Sequence, residues 1–296
     1  MSVGARKTGA FAIIGGSGLY AMPGLEDVRE LRVTTPFGDP SDALVAARLG
    51  DVALLFLPRH GRTHRLAAHE VNYRANIFAL KAAGASQVLS VSAVGSLRED
   101  LAPGDVVLVD QYVDRTAGRA KTFFEGLGVV VHAGFADPVD PALRAAVLAA
   151  ARSVGARAHD GGTYLCIDGP QFSTRAESRL HRQWGLDVVG MTNLPEARLA
   201  REAELPYASL CMVTDYDVWH ATEAPVEVSR VIAQLHANAQ LAGDIIRAVA
   251  PSLPNAEASP AARALDASLL TPVSAIDARA RERLGVLLDR RFSAAS

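Results

Sequence analysis

Short apolar runs alternate with amphipathic stretches along most of this chain. Residues 11–14, 52–57, 88–91, 106–109, 164–167, 187–189 and 207–213 form runs too short for helices. They are also too uniformly apolar for strands with one wet face, so they predict strands buried on both faces. Between them, apolar positions recur every three or four residues. Residues 70–83 place Val71, Ala75, Phe78 and Ala82 on one face before Gly84. Residues 141–154 stripe Leu143, Val147, Ala151 and Val154, with Asp140 as cap, Pro141 in the first turn and Gly155 at the close. Residues 174–184 follow Ser173 as cap, and the longest stretch, about 226–249, stripes Val228, Val231, Ile232, Leu235, Ile246 and Val249. Strands alternating with helices predict an α/β fold, a central mixed, mainly parallel twisted sheet flanked by helices.

The pattern changes after Ala250. Pro251, Pro254, Pro260 and Pro272 interrupt a stretch rich in Ala and Ser, which reads as a linker or surface-hugging arm. Residues 273–291 fit a helix with Ile276, Leu284, Leu287 and Leu288 facing inward. Residues 1–250 are therefore expected to form the main domain, and 251–296 a C-terminal extension.

Composition narrows the function. Hydrophobic residues make up 49% of the 296 and charged residues 21%, as in a globular protein. Thirty Lys and Arg against 32 Asp and Glu leave a formal net charge of −2, which gives no reason to expect nucleic acid as a partner. Any anionic ligand is expected to be small and met by a few placed groups. Cys166 and Cys211 sit in apolar runs and read as buried, reduced thiols of a cytoplasmic protein. No run approaches the ~20 apolar residues that cross a bilayer, and the opening residues are too polar for a secretory signal.

Five segments that carry chemistry follow predicted strands. Gly15-Gly16-Ser17-Gly18 offers backbone N–H groups and a hydroxyl to an anion. Gly16 to Ala21 also fits the GxGxxA dinucleotide form, but Met22, Pro23 and Gly24 follow where that fingerprint needs a helix. Arg59 gives a planar donor fork beside His60. His60 and His64 are spaced like a metal pair, yet Gly61 stands where a zinc motif has glutamate, so no metal is expected. Ser92, ahead of Ala93, and Thr192, after Met191, add hydroxyls. Asp215 and Asp217 stand two apart on an extended segment and so point the same way. Together these predict a pocket with an anion end and an acidic end, suited to an oxyanion attacking while a protonated base departs.

The motifs IIGGSG, TPFGDPSDAL, RHGRTH, HEVNYRANIFALK, AVGSLRE, PGDVVLVDQYVDRT, GPQFSTRAES, GMTNLPEA and TDYDVW, in order over about residues 11–250, resemble the trimeric purine nucleoside phosphorylase family, and within it the methylthioadenosine branch. The resemblance implies a nucleoside phosphorylase-like fold and phosphorolysis of S-methyl-5'-thioadenosine to adenine and 5-methylthioribose 1-phosphate, within purine and methionine salvage. It leaves open a broader action on adenosine, inosine, guanosine or methylthioinosine. Inorganic phosphate is then a co-substrate, and no cofactor is implied. The partners implied are a purine nucleoside, phosphate and further copies of the chain, as a trimer or dimer of trimers, with no nucleic acid and no membrane.

By motif match, the resemblance assigns phosphate to Ser17, Arg59, His60, Ser92, the backbone of Ala93, and Thr192. It lays Met191 along the ribose and Phe172 against the base. Asp215 shares a proton with purine N7, and Asp217 accepts from the 6-amino group. Val228 and Val231 match the pocket for the 5'-methylthio group, and His132 matches a residue lent by a neighbouring subunit. Ser17 and Ser92 stand where many thioadenosine enzymes carry Thr, and Asn193 replaces a common Thr beside the sugar motif.

Overall fold

A twelve-residue strand, Ala85–Ser96, holds three neighbours at once, and the sheet branches there. The structure is a computed structural model that describes residues 9–16, 18–220 and 228–294, with only the backbone of 228–237 and 294. In chain order the strands are β1 (Ala10–Gly15), β2 (Glu26–Leu31), β3 (Leu44–Leu49), β4 (Val52–Pro58), β5 (Ala85–Ser96), β6 (Val106–Leu108), β7 (Gln111–Asp114), β8 (Ala158–Asp160), β9 (Thr163–Cys166), β10 (Val188–Gly190) and β11 (Tyr207–Asp215). The helices are α1 (Tyr73–Ala82), α2 (Pro141–Ser153), α3 (Arg175–Gln183), α4 (Asn193–Glu202), α5 (Val228–Val249), α6 (Ala278–Leu284) and α7 (Asp289–Ala294).

One mixed sheet runs β2-β3-β4-β1-β5-β10-β9-β7, with β11 branching from β5 and carrying β6 and then β8. β1 is parallel to β4 and β5, β11 to β5, β9 to β10 and β7, and β6 to β8. The β2–β3, β3–β4, β5–β10 and β6–β11 pairs are antiparallel. The mainly parallel sheet expected from the alternating pattern is therefore present.

Side-chain alternation divides the core into two layers. Ala12 and Ile14 of β1 and Leu55 and Leu57 of β4 pack towards α1 and α4. Phe11, Ile13, Leu54 and Phe56 point the other way, towards α2 and α5. Both sheet faces are covered, which is why these strands read as unbroken apolar runs. The helix starts are sealed locally. Asn72 accepts from the Ala75 N–H at 3.1 Å and Asp140 from that of Leu143 at 2.8 Å, each cap being worth about 1 kcal/mol. At α3 the cap is Thr174, not Ser173: Thr174 and Glu177 form a reciprocal capping box, which leaves the Ser173 side chain free to turn inward.

Some elements differ from the sequence pattern. β2 is an exposed edge strand with no apolar run to announce it. In α4, Leu194 has strand-like backbone angles and Pro195 follows, which hides the helix from a periodicity reading. The helix expected over 273–291 breaks at Gly285 (φ 32°) into α6, a 3-10 turn and α7. Its inward positions do bury: Ile276, Leu284, Leu287 and Leu288 pack with α1 and α4 in one cluster. Glu204 fastens this segment further, accepting from the Leu265 N–H and from Arg290 Nε, both at 3.0 Å.

Candidate active site

β1, β4 and β5 lie side by side, so their C-terminal ends bring three of the sequence motifs together. Gly15 pairs with Pro58, and the Arg59 N–H donates to the Gly15 carbonyl at 3.0 Å. Arg59 is 2% exposed. Its Nε and Nη2 grip the two oxygens of Glu196 at 2.8 and 3.1 Å, Nη2 also donates to Ser90 Oγ at 2.6 Å, and Nη1 donates to the Val91 carbonyl at 3.1 Å. Tyr207 donates to the same Glu196 at 2.8 Å. Burial alone would lower the Arg59 pKa, but the charge and hydrogen bonds of Glu196 carry it above its ordinary value. The expected open fork is thus closed on Glu196. Of the guanidinium's five N–H groups, one on Nη1 remains for a ligand. Removing one partner of such a buried pair costs about 3–5 kcal/mol.

His60 is next along. Burial, and then the Arg59 charge, push its pKa down to about 4. Its Nδ1 lies 2.9 Å from the Leu66 carbonyl, which can only accept, so Nδ1 carries the proton and Nε2 is an acceptor. The neutral imidazole therefore offers a ligand a lone pair at Nε2. His60 and His64 stack at 4.5 Å, and among the described residues no group of three or more His, Cys, Asp or Glu is placed to hold a metal. The dinucleotide reading also fails locally: Leu19–Ala21 is a single 3-10 turn that leads to β2, with no helix there.

Ser92 continues β5 beyond Ser90 and Val91, its Oγ 4.0 Å from Cys211 Sγ, and Ala93 beside it is exposed. β10 runs antiparallel to β5, pairing Val189 with Gly95, so its continuation through Met191 and Thr192 turns back along the Ser92 side. Thr192 stands at the cap position of α4 without making a capping bond through its side chain, which leaves the hydroxyl for a ligand. Asn193 faces away. It is fully buried and donates to Ser209 Oγ at 2.7 Å, so it belongs to the network behind Arg59 and not to the sugar side.

The acidic end lies three residues along β5, about 10 Å from Ser92 at strand spacing. A β-carbon at Gly95 would sit 2.9 Å from Asp215 Oδ1 and 3.4 Å from the Asp217 β-carbon. Asp215 Oδ1 accepts the Asp217 N–H at 2.8 Å, and Oδ2 accepts from Thr214 at 2.7 Å. Burial raises the Asp215 pKa against these bonds, and the nearby Asp217 charge adds to the rise. Burial raises Asp217 as well, opposed by the Ser178 and Ser173 hydroxyls. Asp217 Oδ2, Ser173 Oγ and Ser178 Oγ are nonetheless buried without a hydrogen bond of proper geometry among the described residues, a cluster that calls for a polar ligand. The loop is fixed by Trp219, whose Nε1 donates to the Ser96 carbonyl at 2.8 Å.

The remaining expected residues fall around these two ends. Met191 rests its sulfur on Gly169, where a β-carbon would lie 2.4 Å away. Phe172, three residues on, is 47% exposed. His132 is exposed, its N–H held by the Ser268 carbonyl at 2.9 Å. Ser17 lies outside the described residues, as do the side chains of Val228 and Val231. The sequence reading missed Glu196, Ser173, Ser178, Gly95 and Arg119 as contributors. Glu196, Ser173, Ser178 and Gly95 sit within motifs already noted, whereas the buried Arg119 lies outside them and leaves no periodic signal.

This geometry can be set beside known proteins. The sequence model of the phosphorylase superfamily matches residues 10–251. The S-methyl-5'-thioadenosine phosphorylase of Geobacter sulfurreducens is 52% identical over 277 residues, covering 93% of this chain and 96% of its own. That of Chloroflexus aurantiacus is 51% identical over 282 residues, covering 95% and 98%. Among solved structures, a methylthioadenosine phosphorylase from an antarctic soil metagenomic library superposes with a TM-score of 0.90 at 46% identity, over 95% of this chain and 100% of that one. The methylthioadenosine phosphorylase of Schistosoma mansoni in complex with adenine gives 0.76 at 41% identity, over 82% and 91%.

Proposed function

The chain belongs to the phosphorylase superfamily, and from that premise we propose that it is a pentosyl-transferring enzyme that cleaves S-methyl-5'-thioadenosine with inorganic phosphate. The products are adenine and 5-methylthioribose 1-phosphate. The observation that carries the reading is the pairing along β5 of an anion end at Arg59 and Ser92 with an acidic end at Asp215 and Asp217.

Phosphate sits at the Ser92–Ala93 end. The remaining Arg59 N–H, the Ser92 and Thr192 hydroxyls and the Ser17 segment donate to its oxygens. Neutral His60 accepts from a phosphate hydroxyl through Nε2, so the ion that fits keeps at least one proton. A phosphate oxygen forms the bond to C1' as the C1'–N9 bond breaks, and the electron pair passes into the purine. Asp215, its pKa raised by burial, supplies the proton to N7 and so neutralises the departing base. Asp217 accepts from the 6-amino group, Phe172 packs on the ring and Met191 lies along the ribose. Motif match assigns Val228 and Val231 to the methylthio pocket, and exposed His132 to a neighbouring copy in a trimer. No redox step or group carrier enters this balance, so no cofactor is needed. No helix among the described residues is long and apolar enough to cross a membrane.

Asp215→Ala tests the reading. Turnover of methylthioadenosine should fall by about 10²–10⁴-fold while phosphate still binds. Turnover within a few-fold of wild type would refute the assigned proton donor.

A further inference from the structure

Arg119 takes no part in the chemistry just described, yet it is built into the loops that carry it. Its side chain is 3% exposed. Nη1 donates to the carbonyls of Met191 and Leu194, at 2.7 and 2.8 Å. Nη2 donates to the Asp168 carbonyl at 3.0 Å, and Nε to Asp168 Oδ1 at 3.1 Å. Asp168 Oδ2 in turn accepts from the Ala117 N–H at 2.9 Å, so the segment bearing Arg119 is tied to the same carboxylate. The guanidinium lies 5.5 Å from the centre of the Tyr73 ring, which closes its remaining side.

These partners belong to two different loops. Asp168 follows β9 and leads through Gly169 to Phe172 and Ser173. Met191 and Leu194 follow β10 and flank Thr192. β9 and β10 pair only as far as Cys166 and Gly190, and the Ile167 N–H to Gly190 carbonyl bond at 2.9 Å is the last backbone bond between the two segments among the described residues. We propose that Arg119 is a positioning residue that locks the loops after β9 and β10 into one frame, fixing the base-facing and phosphate-facing groups relative to each other. This rests on the phosphorolysis reading, in which both loops hold one substrate. Lysine cannot replace it, because a single ammonium cannot span carbonyls on both loops and a carboxylate in one plane.

Arg119→Ala and Arg119→Lys in the full-length chain test the clamp, with rates expressed per folded protein. Both should lose about 10–100-fold in kcat/KM for methylthioadenosine and for phosphate alike, the scale of a misplacement near 1 Å. Guanidinium ion at millimolar concentration should restore part of the Arg119→Ala activity and leave wild type unchanged. If Arg119→Ala does not fold, the lysine variant carries the test. Values of kcat and both KM within twofold of wild type in Arg119→Lys would overturn the clamp. So would a loss in Arg119→Ala that follows only the unfolded fraction and ignores guanidinium. Wild-type turnover reports on phosphorolysis separately. If wild type fails to release adenine, the clamp is read from adenine titration of wild type and Arg119→Lys: tenfold weaker binding in the variant sustains it, and equal or undetectable binding in both overturns it.

Discussion

Asp215 stands against Gly95, its Oδ1 2.9 Å from the point that a β-carbon there would occupy. Val189 closes the same space at 3.2 Å. The strand angles at Gly95 suit any residue, so the glycine is required for room and not for backbone freedom. Gly95→Ala must push the carboxylate aside. The expected result is a fall of tenfold or more in kcat/KM for methylthioadenosine with little change in melting temperature. Kinetics matching wild type would show that the Asp215 position is not critical.

In the proposed reading, Asp217 sets the choice of base. An ionised carboxylate accepts the 6-amino N–H of adenine, whereas a 6-oxo group would set lone pair against lone pair. Asp217→Asn supplies a donor to the same place. It should move the ratio of kcat/KM from 6-amino towards 6-oxo nucleosides by about tenfold or more, roughly the worth of one charged hydrogen bond. An unaltered adenosine-to-inosine ratio would contradict the assignment.

Glu202 makes stability depend on pH. Burial pushes its carboxyl up to about 7 from an ordinary 4.5, against the pull of the Phe123 N–H and the Thr122 hydroxyl. Between those values the unfolded chain has lost the proton that the folded chain keeps. The folded state then binds more protons, so this group's contribution falls as pH rises through the window, by about 1.4 kcal/mol per unit. Glu202→Gln accepts both hydrogen bonds and never ionises. Denaturant midpoints should show it gaining on wild type from pH 4.5 to 7, holding the gain at pH 8 and losing it near pH 4. Equal midpoints at pH 8 would rule this out.

Much of the architecture was legible because both sheet faces are covered, which turns strands such as β1 and β4 into unbroken apolar runs. β2 lies exposed at an edge and gave no such signal, and Pro195 with its strand-like neighbour masked the start of α4. At the candidate site, residue type singled out Arg59, His60 and Asp215 but not their states. The state of Arg59 depends on Glu196, 137 residues away in sequence, and that of His60 on a backbone carbonyl. Arg119 shows the same limit: apart from the Asp168 carboxylate and the Tyr73 ring its partners are backbone carbonyls, which every residue carries, so nothing in the sequence sets it apart.

Phosphorolysis is tested most directly by the release of free base from methylthioadenosine, adenosine, inosine and methylthioinosine, each with and without phosphate. Cleavage should require phosphate, yield 5-methylthioribose 1-phosphate and give methylthioadenosine the highest kcat/KM. Cleavage at equal rates without phosphate, or a preference for inosine, would contradict it.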